Sequence, residues 1–241
     1  MRINFIMESV LPVLLILPLM LLLLKDKSQV KMIVLFTVIF ILYQLILKAP
    51  KEFVALQVIK GQWNWTGKLL GILFGLLIYT VLKNKLKPFD FLRFKQDSKA
   101  FSKTIWAAVL MVCSSFFSYF DSPKELDWET LFYQLSMPGL DEEIMFRAIL
   151  LGLLLISLKD KIKIGKWSLG NPGVLIIGIL FGLVHALHFK STIEFEIYVF
   201  ICTFLSGYIW SWITVESKSI LLPVISHNLT NFLQNLLRMV K

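Results

Sequence analysis

Long apolar runs, broken by short polar stretches rich in lysine, dominate the pattern of this chain. The runs lie near 5–24, 32–48, 66–83, 105–120, 137–158, 172–189, 197–214 and 220–239. A helix that crosses a bilayer needs about 20 mostly apolar residues. Backbone groups in lipid must bond within their own segment, so runs of this length are helices rather than strands. The pattern therefore predicts an all-α integral membrane bundle of about eight transmembrane helices, multi-pass in the cell membrane. The second, fourth and seventh runs are short for a full crossing, which implies tilt or local thinning of the bilayer. Two intervening stretches read as interfacial. One is 49–65, with Trp63 and Trp65, and the other is 121–136, with Asp121, Glu125, Asp127 and Glu129.

Composition agrees with this picture. Of the 241 residues 57% are hydrophobic and only 17% charged, against roughly 45–50% apolar in soluble domains. Eight helices with short loops use the whole length, which leaves no room for a separate soluble domain. The net charge of +9 comes from lysines at helix ends, where they set topology. No aromatic-basic groove accompanies them, so nucleic acid is excluded as a partner. The breaks at 25–31, 83–104 and 159–166 carry Lys25 to Lys31, Lys83 to Lys103 and Lys159 to Lys166. With eight spans these three loops share one side, which the positive-inside rule makes cytoplasmic, with both termini outside. Arg2 before an apolar run imitates a signal peptide. The run is long and lacks a small-residue cleavage site, so it reads as a retained first helix. Cys113 and Cys202 both sit inside apolar runs, which argues against a disulfide or a metal-binding pair. The hexapeptide GILFGL occurs at 71–76 and 178–183. Each copy holds a GxxxG pair, a spacing that lets helices approach closely.

Ionisable residues inside membrane helices are costly and usually functional. Asp141, Glu142, Glu143 and Arg147 open the fifth run. Glu143 and Arg147, four apart, share a helix face and can pair. That leaves Glu142 free to face a cavity. Acids at a helix start can also be simple capping groups, but capping does not explain an arginine one turn deeper. The chain has 3 histidines. His185 and His188 end the sixth run, three apart and on one face. His227 lies in the eighth, with Asn231, Gln234 and Arg238 continuing its face. Any one of these could be a packing residue or helix–helix glue. Together they form three polar patches on separate helices that can converge on one water-filled cavity.

Glu142-Glu143-xxx-Arg147, Phe181-xxx-His185 and His227-xxx-Asn231 resemble, in order, the EExxxR, FxxxH and HxxxN motifs of the CaaX protease and bacteriocin-processing family. This family is also called CPBP or Abi and includes the type II CaaX prenyl endopeptidases. The resemblance covers about 105–240, a CPBP-like catalytic helical core. Residues 1–104, with no family motif, form variable N-terminal transmembrane helices of the same compact membrane domain. The resemblance implies an intramembrane endopeptidase that acts on a membrane-associated peptide or protein. Glu142, helped by His185, would activate water, and His227 and Asn231 would donate to the oxyanion. Glu143, Arg147 and Phe181 would support the site. Glu142, His185 and His227 also suit a divalent metal such as zinc. Because Asn is a poor zinc ligand, the set leans toward metal-free chemistry. His188 lies outside the three motifs and reads as a packing or lipid-interface residue rather than a catalytic one.

HExxH, GxGD and rhomboid-type GxS motifs are all absent from the sequence, which removes those intramembrane protease classes. Two other readings share these helices. One is a non-catalytic immunity or scaffold protein, including a role in bacteriocin immunity. The other is a small transporter with a proton relay, which predicts inverted repeats and broken helices; the sequence suggests neither.

Overall fold

The computed structural model describes residues 2–168, 170–189 and 192–241. The apolar runs fold as α1 (Arg2–Leu22), α2 (Val30–Glu52), α3 (Trp65–Leu86), α4 (Phe101–Ser114), α5 (Trp128–Glu142), α6 (Leu151–Ser157), α7 (Pro172–Ala186), α8 (Ile197–Ser217) and α9 (Leu221–Met239). A π-helical stretch, Glu143–Leu150, joins α5 to α6, so these two make one rod. The described residues thus form an all-α bundle of eight rods. Five helical segments are long and apolar enough to cross a membrane: Asn4–Leu22, Lys27–Glu52, Trp65–Phe89, Phe101–Phe120 and Ile197–Ser217. The helix Pro172–Ala186 is apolar but shorter.

Three boundaries differ from the hydrophobic pattern. α2 runs through Pro50 to Glu52, beyond the expected end at 48. α5 begins at Trp128, within the stretch read as interfacial. Its cap is Asp127, whose carboxylate accepts the amides of Glu129 and Thr130; such a cap outweighs polar composition in starting a helix. α7 stops at Ala186, and Leu187–Phe189 (β3) pairs antiparallel with Ile193–Phe195 (β4). His185 and His188 therefore do not share a helical face. His188 Nε2 instead lies 3.5 Å from Glu196 Oε1. A second small hairpin pairs Lys163–Ile164 (β1) with Trp167–Ser168 (β2).

Loop contacts define the two ends of the bundle. At one end the lysine-rich breaks meet. The Lys25 amide donates to the Ser157 carbonyl and the Asp97 amide to the Ser217 carbonyl. At the other end Glu8 pairs with Lys48 at 3.2 Å and accepts the Phe189 amide at 2.9 Å. There the 53–64 loop docks on α5: the Trp63 indole donates to Thr130 and the Trp65 indole to Glu129, at 2.8 and 3.0 Å. The Trp65 bond, ahead of nearby backbone amides, holds the Glu129 carboxyl below the usual range.

The π stretch is buried throughout, at the centre of the apolar core. Both GILFGL copies are places of close approach, as their spacing implies. A Cβ on Gly182 would meet the Phe200 ring at 2.9 Å, and one on Gly178 would meet the Phe204 carbonyl at 3.2 Å. Those contacts seat α7 against α8. Gly75 packs on Ile144 in the same way and seats α3 against the π stretch.

Candidate active site

The polar groups of the site come from helices that the core would otherwise keep wholly apolar. A π-helix takes more residues per turn than the 3.6 of an α-helix, and such stretches are frequent at functional sites. Its wider winding brings Glu143 and Arg147, four apart, closer to one azimuth. Arg147 Nη1 donates to Glu143 Oε1 at 3.0 Å, and both side chains have 0% exposure. Arg147 Nη2 reaches the Gly207 carbonyl at 3.4 Å. Its guanidinium lies over the Phe181 ring, 4.5 Å from the centroid. The sequence paired these two residues, and the structure pairs them.

Glu143 also organises the third motif. His227 Nδ1 donates to Glu143 Oε1 at 2.8 Å. The His227 ring stacks on Trp210, with centroids 4.1 Å apart. Trp210 in turn donates from its indole to Ser226 Oγ at 3.0 Å. His227 is thereby fixed with Nε2 turned toward Glu142. His185 is fixed by its own helix: Nδ1 donates to the Phe181 carbonyl at 2.8 Å, and Phe181 lies beside the ring at a centroid distance of 4.4 Å. Because a carbonyl can only accept, Nε2 is the free nitrogen of His185.

Both free nitrogens face one carboxylate oxygen. Glu142 Oε2 lies 4.0 Å from His185 Nε2 and 3.9 Å from His227 Nε2. It is buried and has no protein hydrogen-bond partner. Separations of this size are too long for direct hydrogen bonds and fit one bridging water. Glu142, Phe181, His185, His227 and Asn231 all line a single cavity of about 500 Å³. The four polar residues singled out by sequence therefore surround one space. Cys202, Ser206 and Gln234 are shared with a neighbouring groove of about 510 Å³, lined largely by apolar side chains of α4, α8 and the turn after α4. The cavity also reaches Lys51, Trp63 and Tyr133, at the end of the bundle opposite the lysine-rich loops.

Sequence reasoning missed several residues here. Lys68, in the first turn of α3, places Nζ 2.6 Å from Glu142 Oε1 and 2.9 Å from Asp141 Oδ2. The Tyr43 hydroxyl donates to the same Asp141 oxygen at 2.7 Å. Asn228, beside His227, accepts the Gly139 amide at 2.7 Å and donates to the Ser136 carbonyl at 3.2 Å. It ties α9 to α5 across Pro138. Asp141 stood out within its cluster, but only the burial of charge in a membrane helix could have flagged Lys68.

For a divalent metal, the donor atoms left over are Oε2 of Glu142 and Nε2 of His185 and of His227. Among the described residues no group of three or more His, Cys, Asp or Glu is arranged to hold one. Oε1 of Glu142 is taken by the Lys68 ammonium, while the bond of His227 Nδ1 to Glu143 is one that metal-binding histidines also make.

Residues 122–233 match the family model of type II CAAX prenyl endopeptidase Rce1-like proteins. This segment is an Rce1-like domain, consistent with the CPBP family, and the match supports a CAAX-type intramembrane protease at family level. It runs from the turn before α5 into α9 and contains all seven motif residues; α4, expected within the resemblance, precedes it. No curated protein and no solved structure matches the chain.

Proposed function

We propose that this Rce1-like domain hydrolyses peptide bonds of a membrane-associated peptide or protein tail, using water activated by Glu142. The observation that carries the reading is the unpartnered Oε2 of Glu142, within one-water reach of two histidine nitrogens at a shared cavity. A water there donates one proton toward Oε2 and the other toward His185 Nε2. Its oxygen adds to the scissile carbonyl carbon while the proton passes to Oε2. The carbonyl electron pair gathers on oxygen, opposite His227 and Asn231. Collapse breaks the C–N bond as the proton moves from Oε2 to the leaving nitrogen.

The hydrogen bonds refine the role of His227. Its Nδ1–H is committed to Glu143, so Nε2 donates to an oxyanion only in the imidazolium form. The Glu143 carboxylate holds the ring in the orientation that this donation needs. Arg147 keeps Glu143 in place and does not line the cavity.

The groove beside the cavity supports a substrate with an apolar or membrane-embedded portion. The positive-inside rule, applied to the loops that cluster at the far end, supports a cavity mouth on the non-cytoplasmic side of the cell membrane. Substrates would then be exported peptides or the outer portions of anchored proteins, such as bacteriocins or signalling peptides. Comparison of secreted and membrane peptides from cells carrying wild type or Glu142→Gln tests the reading. Product peptides that depend on Glu142 are the expected result; identical peptide profiles at equal protein levels would defeat it.

A further inference from the structure

We infer that Lys68 is a positioning residue of this site, the resident cation that holds Glu142 by one oxygen and presents the other to water; this rests on the protease reading. Its ammonium bridges two consecutive carboxylates, at 2.6 Å from Glu142 and 2.9 Å from Asp141. The side chain is 9% exposed and lines the cavity. The bridge consumes Oε1 of Glu142. What remains is Oε2, the atom that faces His185 and His227.

The position of this lysine is hard to explain otherwise. It occupies the first turn of α3, where the helix macrodipole disfavours a cation. It is also buried, where an ammonium is costly unless paired. The helix start needs no cation, since Asn64 caps it by accepting the Gly67 amide at 3.2 Å and donating to the Leu47 carbonyl at 2.7 Å. Asp141 already has Tyr43 as a donor. The shorter of the two lysine contacts goes to Glu142. Three consecutive carboxylates, Asp141 to Glu143, meet here with two cations, and each cation has a distinct post. Arg147 serves Glu143 and, through it, His227. Lys68 serves Glu142. Without Lys68 the adjacent carboxylates repel each other, and Glu142 can swing Oε2 away from the histidines. The first half of the chain, which carries no motif, thus supplies a part of the reaction centre.

The test uses full-length protein in detergent or nanodiscs and a farnesylated fluorogenic CaaX peptide as probe, with any peptide found to depend on Glu142 as a second probe. Lys68→Met keeps the bulk and removes the charge. It should lower kcat by about 10²-fold, the scale of a misplaced catalytic group, with KM changed less than about threefold. Lys68→Arg should recover part of the loss. Lys68→Ala leaves space for a small amine, so propylammonium chloride should raise its kcat at least fivefold and leave Lys68→Met unchanged. A structural counter-ion would show neither the amine rescue nor a loss confined to kcat. Thermal unfolding of Lys68→Met, Glu142→Gln and the double variant should show a coupling between the two sites even if Lys68→Ala folds poorly. Wild-type kcat in Lys68→Met, a loss confined to KM, or no coupling would overturn the inference. If wild type and Glu142→Gln leave both probes equally intact, the protease reading fails instead, and the catalytic role of Lys68 falls with it.

Discussion

Arg147 should act on stability rather than on substrate. Among the described residues it is the largest fully buried side chain, with 0% exposure. Its replacement by Ala leaves Glu143 in the core with His227 as its only side-chain partner in hydrogen-bond range among the described residues. Breaking a buried pair from one side costs about 3–5 kcal/mol, because the other charge stays uncompensated. Loss of the stack over Phe181, 4.5 Å away, adds about 2 kcal/mol for a desolvated cation–π contact. Together these come to about 5–7 kcal/mol, and on a scaling of about 2–4 °C per kcal/mol for chains of this length Tm should fall by roughly 10–28 °C. Tryptophan fluorescence in detergent reports the transition, since Trp210 stacks on His227 within the same cluster. Arg147→Met with Glu143→Gln removes both charges and should recover most of the loss in Tm. It should not recover cleavage, because His227 loses the carboxylate that fixes its ring. If Arg147→Ala unfolds like wild type yet is inactive, Arg147 belongs to the chemistry and its assignment here is wrong.

Two further outcomes follow from packing and topology. Gly182→Val should lower stability by about 1–3 kcal/mol, the usual cost of overpacking, because its Cβ would meet the Phe200 ring at 2.9 Å; an unchanged melting curve would show that α7 and α8 do not meet there. In a background lacking Cys113 and Cys202, Lys95→Cys should resist a membrane-impermeant thiol reagent applied to intact cells, and Lys60→Cys should react. The reverse labelling would place the cavity mouth on the cytoplasmic side.

Much of the architecture was legible because lipid imposes one rule on every apolar run. The eight runs correspond to eight rods. The misplaced boundaries lie where local chemistry overrides hydropathy, at the Asp127 cap and at Ala186. There the apolar sequence Leu187-His188-Phe189 continues the run but pairs as a strand. The motif residues stood out because Glu, Arg and His are rare in membrane helices. Lys68 did not, because a lysine near a helix start looks like an ordinary interfacial anchor. Its partner Glu142 lies 74 positions away, and nothing in either segment announces the other. Asn228 was hidden for a related reason. It adjoins the HxxxN motif, yet its bonds go to the backbone of α5 around Pro138, a contact that exists only once the helices pack.

The central claim is that Glu142 activates water for peptide hydrolysis. The most direct measurement is turnover of a peptide that accumulates uncut in Glu142→Gln cells, by purified wild type and Glu142→Gln protein matched for melting temperature. The account predicts a loss of about 10²–10⁴-fold in kcat, the contribution of a general base, with the same bond cut by wild type in every turnover. Near-equal turnover by the two proteins would contradict it.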